Sequence, residues 1–148
     1  MNKNTASRQS IIEQARQELL AIHLRDRQAH FATDADALVA PLAESIIDVR
    51  NGVVQHFTRE DMRQVFKQYF KNATYHEWDD LQPPIVQVSP DGKLGWMITQ
   101  TKVRRVQIDE AGVKREREFI YAGIMTYEKR EDQWICTANV STFESINT

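Results

Sequence analysis

Apolar residues recur at helical spacing along the first part of the chain. Ile11, Ile12, Ala15, Leu19, Ile22 and Ala29 fall within about 100° of arc, which predicts a helix over 10–31. Ser10 with Glu13 three residues on reads as a capping-box start. Thr33 or Asp34 caps a short second helix over 34–39, and Pro41 stops it. Ile47 and Val49 share one face of a strand over 45–50, which leaves Asp48 and Arg50 on the opposite, solvated face. Asn51-Gly52 marks a turn. Thr58, Arg59, Glu60 and Asp61 open a third helix whose stripe is Met62, Val65, Phe66, Tyr69 and Phe70.

Beyond residue 73 the pattern favours strands, over 74–81, 85–88, 94–108, 114–129 and 134–143. Pro83-Pro84 and turns at 89–92, 109–112 and 130–133 separate them. Two of these strands, at about 15 residues, are long against a mean of about 5–6. Long twisted strands beside a small helical layer imply a strongly curved sheet. Helices first and strands second point to an α+β fold.

The chain has 148 residues, one domain's worth, so the expectation is a single domain over 1–148 with frayed tails at 1–9 and 145–148. Lys plus Arg is 19 and Asp plus Glu is 21, so no basic excess argues for a nucleic-acid partner. No apolar run is long enough for a membrane span and the polar start is not a secretory signal, so a cytoplasmic protein is expected. The one cysteine, Cys136, excludes an internal disulfide and a Cys-rich zinc site. No phosphate loop, nucleophile elbow or His-Glu-x-x-His motif occurs, and no cofactor is expected.

Local strings resemble a known family. Ala29-His30-Phe31 followed by Asp34-Ala35-Asp36, then Val49-Arg50-Asn51-Gly52-Val53, are two of them. Glu77-Trp78-Asp79-Asp80 with Pro83-Pro84-Ile85, Gly95-Trp96, and Ala138-Asn139-Val140-Ser141-Thr142 are the others. Together with the element order they resemble the nuclear transport factor 2-like (NTF2-like) superfamily, and within it the SnoaL-like proteins. The resemblance implies a cone-shaped α+β fold, with three N-terminal helices packed on a curved, mostly antiparallel sheet. It also implies an apolar cavity between helix and sheet, and a homodimer. The superfamily holds isomerases, dehydratases, cyclases, hydrolases and binding modules, so it specifies the fold more than the activity.

The first helix places His23, Asp26 and His30 on its apolar side. An Asp26–His30 pair at i, i+4 can hydrogen-bond on one face and, next to apolar groups, shift both pKa values toward neutrality. The alternative is a structural pair tying the helix to a loop or carbonyl. A metal site from His23, Asp26 and His30 lacks a fourth ligand, and none is expected. Asp48 lies where ketosteroid isomerases of this fold carry a general-base Asp, before a Gly (here Gly52). The Pro that follows in that family is missing, and its acidic and tyrosine oxyanion pair has no match. Trp78 and Trp96 are candidate cavity walls or core fillers. Tyr121 either orients a ligand or fills the core, and Lys102 is either a pocket cation or a solvated sheet residue. Asn139 is opposite in parity to Trp134, Cys136, Ala138 and Val140 and is placed on the outer face. Some SnoaL-like proteins carry a His near it. Arg104, Arg105, Lys114, Arg115 and Arg117 alternate with Asp109, Glu110, Glu116 and Glu118 as a solvated charge ladder. The expected function is small-molecule binding in the cavity. The alternatives are a metal-free acid–base enzyme (isomerase, dehydratase/cyclase or hydrolase) acting on a small apolar substrate, and an oligomerisation module.

Overall fold

The computed structural model describes residues 3–146. Helix α1 runs Lys3–Ala32. It starts well before residue 10 because no Gly or Pro interrupts the polar stretch and its residues tolerate a helix. Ser10 therefore lies inside the helix, not at its cap. Thr33, with φ of 51°, ends α1 in the left-handed conformation. Its N–H reaches the His30 carbonyl, and the Asp34 N–H reaches that of Ala29. This is a Schellman closure. Asp34 then caps α2 (Ala35–Val39) through its side chain.

Strand β1 (Leu42–Arg50) turns through Asn51 and Gly52, both with positive φ, into β2 (Val53–Thr58), a strand the sequence reading did not anticipate. Thr58 and Asp61 form the reciprocal capping box of α3 (Arg59–Phe70), with both bonds at 3.0 Å. The remaining strands are β3 (Ala73–Asp80), β4 (Ile85–Val88), β5 (Leu94–Ile108), β6 (Lys114–Arg130) and β7 (Gln133–Ser145). The seven-stranded sheet has the order β2-β1-β7-β6-β5-β3, with β4 also on β5. It is mixed, because β1 and β7 are parallel and the other pairs antiparallel. The fold is α+β, with the β1–β2 hairpin inserted between α2 and α3.

Leu19, Ala15 and Ile22 of α1 pack on Met97, Val86, Tyr127, Trp134 and Cys136 of the sheet. Gly95 permits this approach: a Cβ there would lie 3.1 Å from Leu19 Cδ1. Polar contacts fix the same helix along its length. Glu18 accepts from Trp134 Nε1 at 2.7 Å, His23 Nε2 meets Asp80 at 2.9 Å, and Arg27 Nε donates to the Trp78 carbonyl at 2.8 Å. Tertiary contacts, more than local propensity, hold the helix in register on the sheet.

Three register shifts decide which side chains face the helices. One lies in β1 between Leu42 and Ile47, one in β3 around His76, and one in β7 at Thr137. Each extra residue reverses the alternation beyond it. The outer face carries an apolar row across six strands: Ile85, Ile98, Ile124, Val140, Val49 and Val54, each paired with the next.

Candidate functional site

Asp26 sits in the middle of the core-facing stripe of α1, partly buried, and its carboxylate has no hydrogen-bond or ion-pair partner among the described residues. It lines a groove of about 790 Å³. Glu18, Ile22, Arg25 and Ala29 of α1, Pro41 after α2, and Trp134 at the start of β7 form its walls. Burial pushes the Asp26 carboxyl up to about 7, against the downward pull of the neighbouring Arg25 charge. At neutral pH it is thus divided between an acid that can donate a hydrogen bond and a base that can accept a proton.

The sheet residues within electrostatic reach of Asp26 are Tyr121, Tyr127 and Cys136. Burial is the main cause raising each, and the Asp26 charge adds to it. Tyr121 and Cys136 are pushed up to about 12, and Tyr127 also rises well above its usual value. Cys136 is therefore an inert thiol at physiological pH. Tyr121 Oη donates to Asn139 Oδ1 at 3.0 Å, and Asn139 Nδ2 donates to Asp48 Oδ1 at 3.5 Å. Asp48 in turn accepts two bonds from Arg50, at 2.9 and 3.2 Å. Gly123 makes room for this row. A Cβ there would lie 2.8 Å from Tyr121 Oη and 2.5 Å from the Val140 carbonyl oxygen.

His30 is 8% exposed and differently engaged. Its Nδ1 donates to the Asp26 main-chain carbonyl at 2.7 Å, not to the carboxylate. A carbonyl only accepts, so the proton is on Nδ1. The ring stacks on Trp78 at 3.6 Å and meets Phe70 and Tyr75 edge-on. Burial, outweighing the backbone bond, lowers His30 to about 4. It is a neutral core imidazole at pH 7, and Trp78 is its packing partner.

Of the residues expected to meet in one cavity, Asp26 alone lines the groove; His30, Asp48, Trp78, Trp96, Tyr121 and Lys102 do not. Asp48, expected on the solvated face, is 2% exposed, while Ile47 faces out. The β1 shift turns the strand over, and Arg50 neutralises the buried charge. Lys102 and Trp96 have the parity opposite to the buried Met97, Thr99, Thr101 and Val103 and lie on the outer face. There Lys102 pairs with Glu118 at 3.2 Å and Glu77 at 3.6 Å. Asn139, expected on the outer face, points inward because Thr137 is the bulged residue. Simple alternation could not reveal that. Glu18, Arg25 and Gln28 also line the groove, and sequence reasoning did not single them out: a charged or polar residue beside an apolar stripe is ordinary for an amphipathic helix. Among the described residues no three His, Cys, Asp or Glu side chains converge as metal ligands.

Stability should record the two opposed shifts. Between about pH 4 and 7 native Asp26 holds a proton that the unfolded chain has released, so its contribution falls as pH rises. Between about pH 4 and 6.5 unfolded His30 binds a proton that the native ring refuses, so its contribution rises with pH. Asp26→Asn should be more stable than the parent at pH 8, with the difference shrinking toward pH 4, in urea unfolding. A difference independent of pH would mean that Asp26 ionises as an ordinary surface carboxylate.

No protein-family model matches the chain. No curated protein matches it either. Solved structures do match. An NTF2-like protein with a cystatin-like fold from Novosphingobium aromaticivorans superposes with a TM-score of 0.67 at 17% identity, covering 95% of this chain and 88% of that one. An NTF2-like protein of unknown function from Pseudomonas putida gives 0.63 at 15% identity, covering 85% and 84%. A ketosteroid isomerase-like protein from Erwinia carotovora gives 0.60 at 12% identity, covering 88% and 95%. The element order, the mixed sheet and these superpositions agree: the chain has the NTF2-like fold.

Proposed function

We propose that the protein binds a small, largely apolar molecule in the groove beside α1, with Asp26 as its polar anchor. The observation that carries this reading is the unpartnered Asp26 carboxyl lining a concavity of about 790 Å³. That volume lies within the roughly 300–1,000 Å³ usual for small-molecule sites. A carboxyl half-protonated near pH 7 suits a neutral ligand with a carbonyl or hydroxyl group. The protonated form donates to the carbonyl, and the ionised form accepts from the hydroxyl. The cone shape and apolar cavity implied by the SnoaL-like resemblance belong to this proposal.

A second reading, acid–base catalysis, is favoured by the position of the Asp26 pKa. A general acid or base works best when it titrates near the operating pH. The ketosteroid isomerase-like neighbour is compatible with it. In this reading Asp26 moves the proton. The Tyr121–Asn139–Asp48–Arg50 row stands outside the groove and has no part in the proton transfer. His30 holds the α1 backbone at Asp26.

A panel of neutral steroid and polyketide-like ketones, followed by thermal shift, tests the binding reading. A compound at about 100 times its Kd should add about 2.7 kcal/mol of stability. Asp26→Leu should abolish the shift and Asp26→Asn should keep it. Equal shifts in the parent and Asp26→Leu, or no shift with any compound, would sink it. Deuterium incorporation next to the carbonyl of a bound ketone, read by NMR in D2O, separates the readings. Catalysis predicts exchange that Asp26→Asn slows by about 10²–10⁴-fold. Binding alone predicts no exchange.

We also propose that a second copy of the chain covers the outer row of Ile85, Ile98, Ile124, Val140, Val49 and Val54. Several of its members are exposed, and apolar surface in one line favours association. Light scattering should give twice 17.2 kDa for the parent and about half that for Ile124→Lys. A monomeric parent would contradict the dimer.

A further inference from the structure

A second concavity, of about 300 Å³, shares no residue with the groove. It is lined by Gln68 and Tyr69 of α3, Arg105 and Gln107 of β5, and Arg115 and Arg117 of β6. Among the described residues, three guanidinium groups and no carboxylate line it.

Arg105 is the unusual member. It is 4% exposed and makes no ion pair among the described residues. Its Nη2 donates to the Tyr69 carbonyl and to Gln107 Oε1, while its Nε is buried without a partner. Its guanidinium lies over the Tyr69 and Tyr75 rings, at 5.2 and 5.3 Å. These contacts offset part of the desolvation cost and leave the charge without an opposite charge against it among the described residues. Arg117 stands directly opposite on β6 and has no hydrogen-bond or ion-pair partner among the described residues. Like charges facing across a ladder destabilise it. Arg115, the third, is held by Asp109 at 3.1 Å on the rim. Gln107 is fixed by donating to the Gln68 and Lys71 carbonyls, which ties the β5 wall to α3.

We propose that this concavity binds a tetrahedral oxyanion, a phosphate group, between Arg105 and Arg117. Guanidinium forks match such oxygens in bidentate fashion, and one anion relieves both the buried charge and the cross-strand repulsion. The charge ladder expected for this hairpin holds on the outer face, where Arg104 meets Glu116 at 3.7 Å. Arg105 and Arg117 have the opposite parity and stand outside it.

The test is a titration with inorganic phosphate, followed by thermal shift and calorimetry, against chloride at matched ionic strength and against benzoate. The parent should show a saturable shift with phosphate and none with chloride. Arg117→Gln, a change at an exposed position, should weaken phosphate about tenfold or more, as expected for losing a charge-assisted pair. Arg104→Gln on the outer face should bind like the parent. Arg105→Gln should abolish binding; if it does not fold, Arg117→Gln decides alone. Equal responses to phosphate and chloride, a response to benzoate alone, or unchanged affinity in Arg117→Gln would overturn the proposal. The same titration on Asp26→Leu leaves the groove out of the result, so failure of the groove reading does not touch this one.

Discussion

The placement of a carboxylate on the apolar stripe of α1 constrains much of what surrounds it. Helix α1 is the main cover of the sheet, and Asp26 lies between Ile22 and Ala29 on the side that does the covering. Taking an ionised carboxylate out of water is expensive unless it is paired. Among the described residues no side chain pairs with it. The fold leaves Asp26 at the edge of a groove, partly solvated, and lets its proton affinity rise. Neighbouring polar groups are then arranged to be satisfied without it. His30 binds the Asp26 backbone, Tyr121 binds Asn139, and Asp48 is neutralised by Arg50. The unpaired group is the one with chemistry to spare.

The sheet supplies the rest by breaking its own alternation. Without the extra residue at Thr137, Asn139 would face outward, and Tyr121 would have no acceptor there. Without the shift in β1, Asp48 would face solvent. Bulges that re-aim a few side chains while leaving the ladder paired are a common way to build a polar patch on a packed face. Gly123 belongs to the same design, since the phenol of Tyr121 passes over the space a side chain would fill.

Much of the fold was legible because its signals are local. The Thr58–Asp61 capping box, the Asp34 cap, the Asn51-Gly52 turn and the limits of β4 and β5 all follow from residues close in sequence. Strand β2 was missed because Val53 and Val54 lie on an edge hairpin with little burial to create a pattern. The site was far less legible. Asp26 stood out as a charge on an apolar stripe. Its pairing with His30 was read through the side chain, whereas the backbone makes the bond. The inward Asp48 and Asn139 depend on register between distant strands. The outward Trp96 and Lys102 differ from inward residues only by parity, and parity has no absolute sign until the helix docks.

The central claim is that Asp26 titrates near neutrality because it is desolvated and unpaired. Carboxyl ¹³C NMR of the native protein, with Asp26→Asn to assign the resonance, measures this directly. The account predicts a midpoint of about 7. A midpoint near the ordinary aspartate value of about 3.9 would contradict it, because the carboxylate would then be solvated or paired and the groove would lose its anchor.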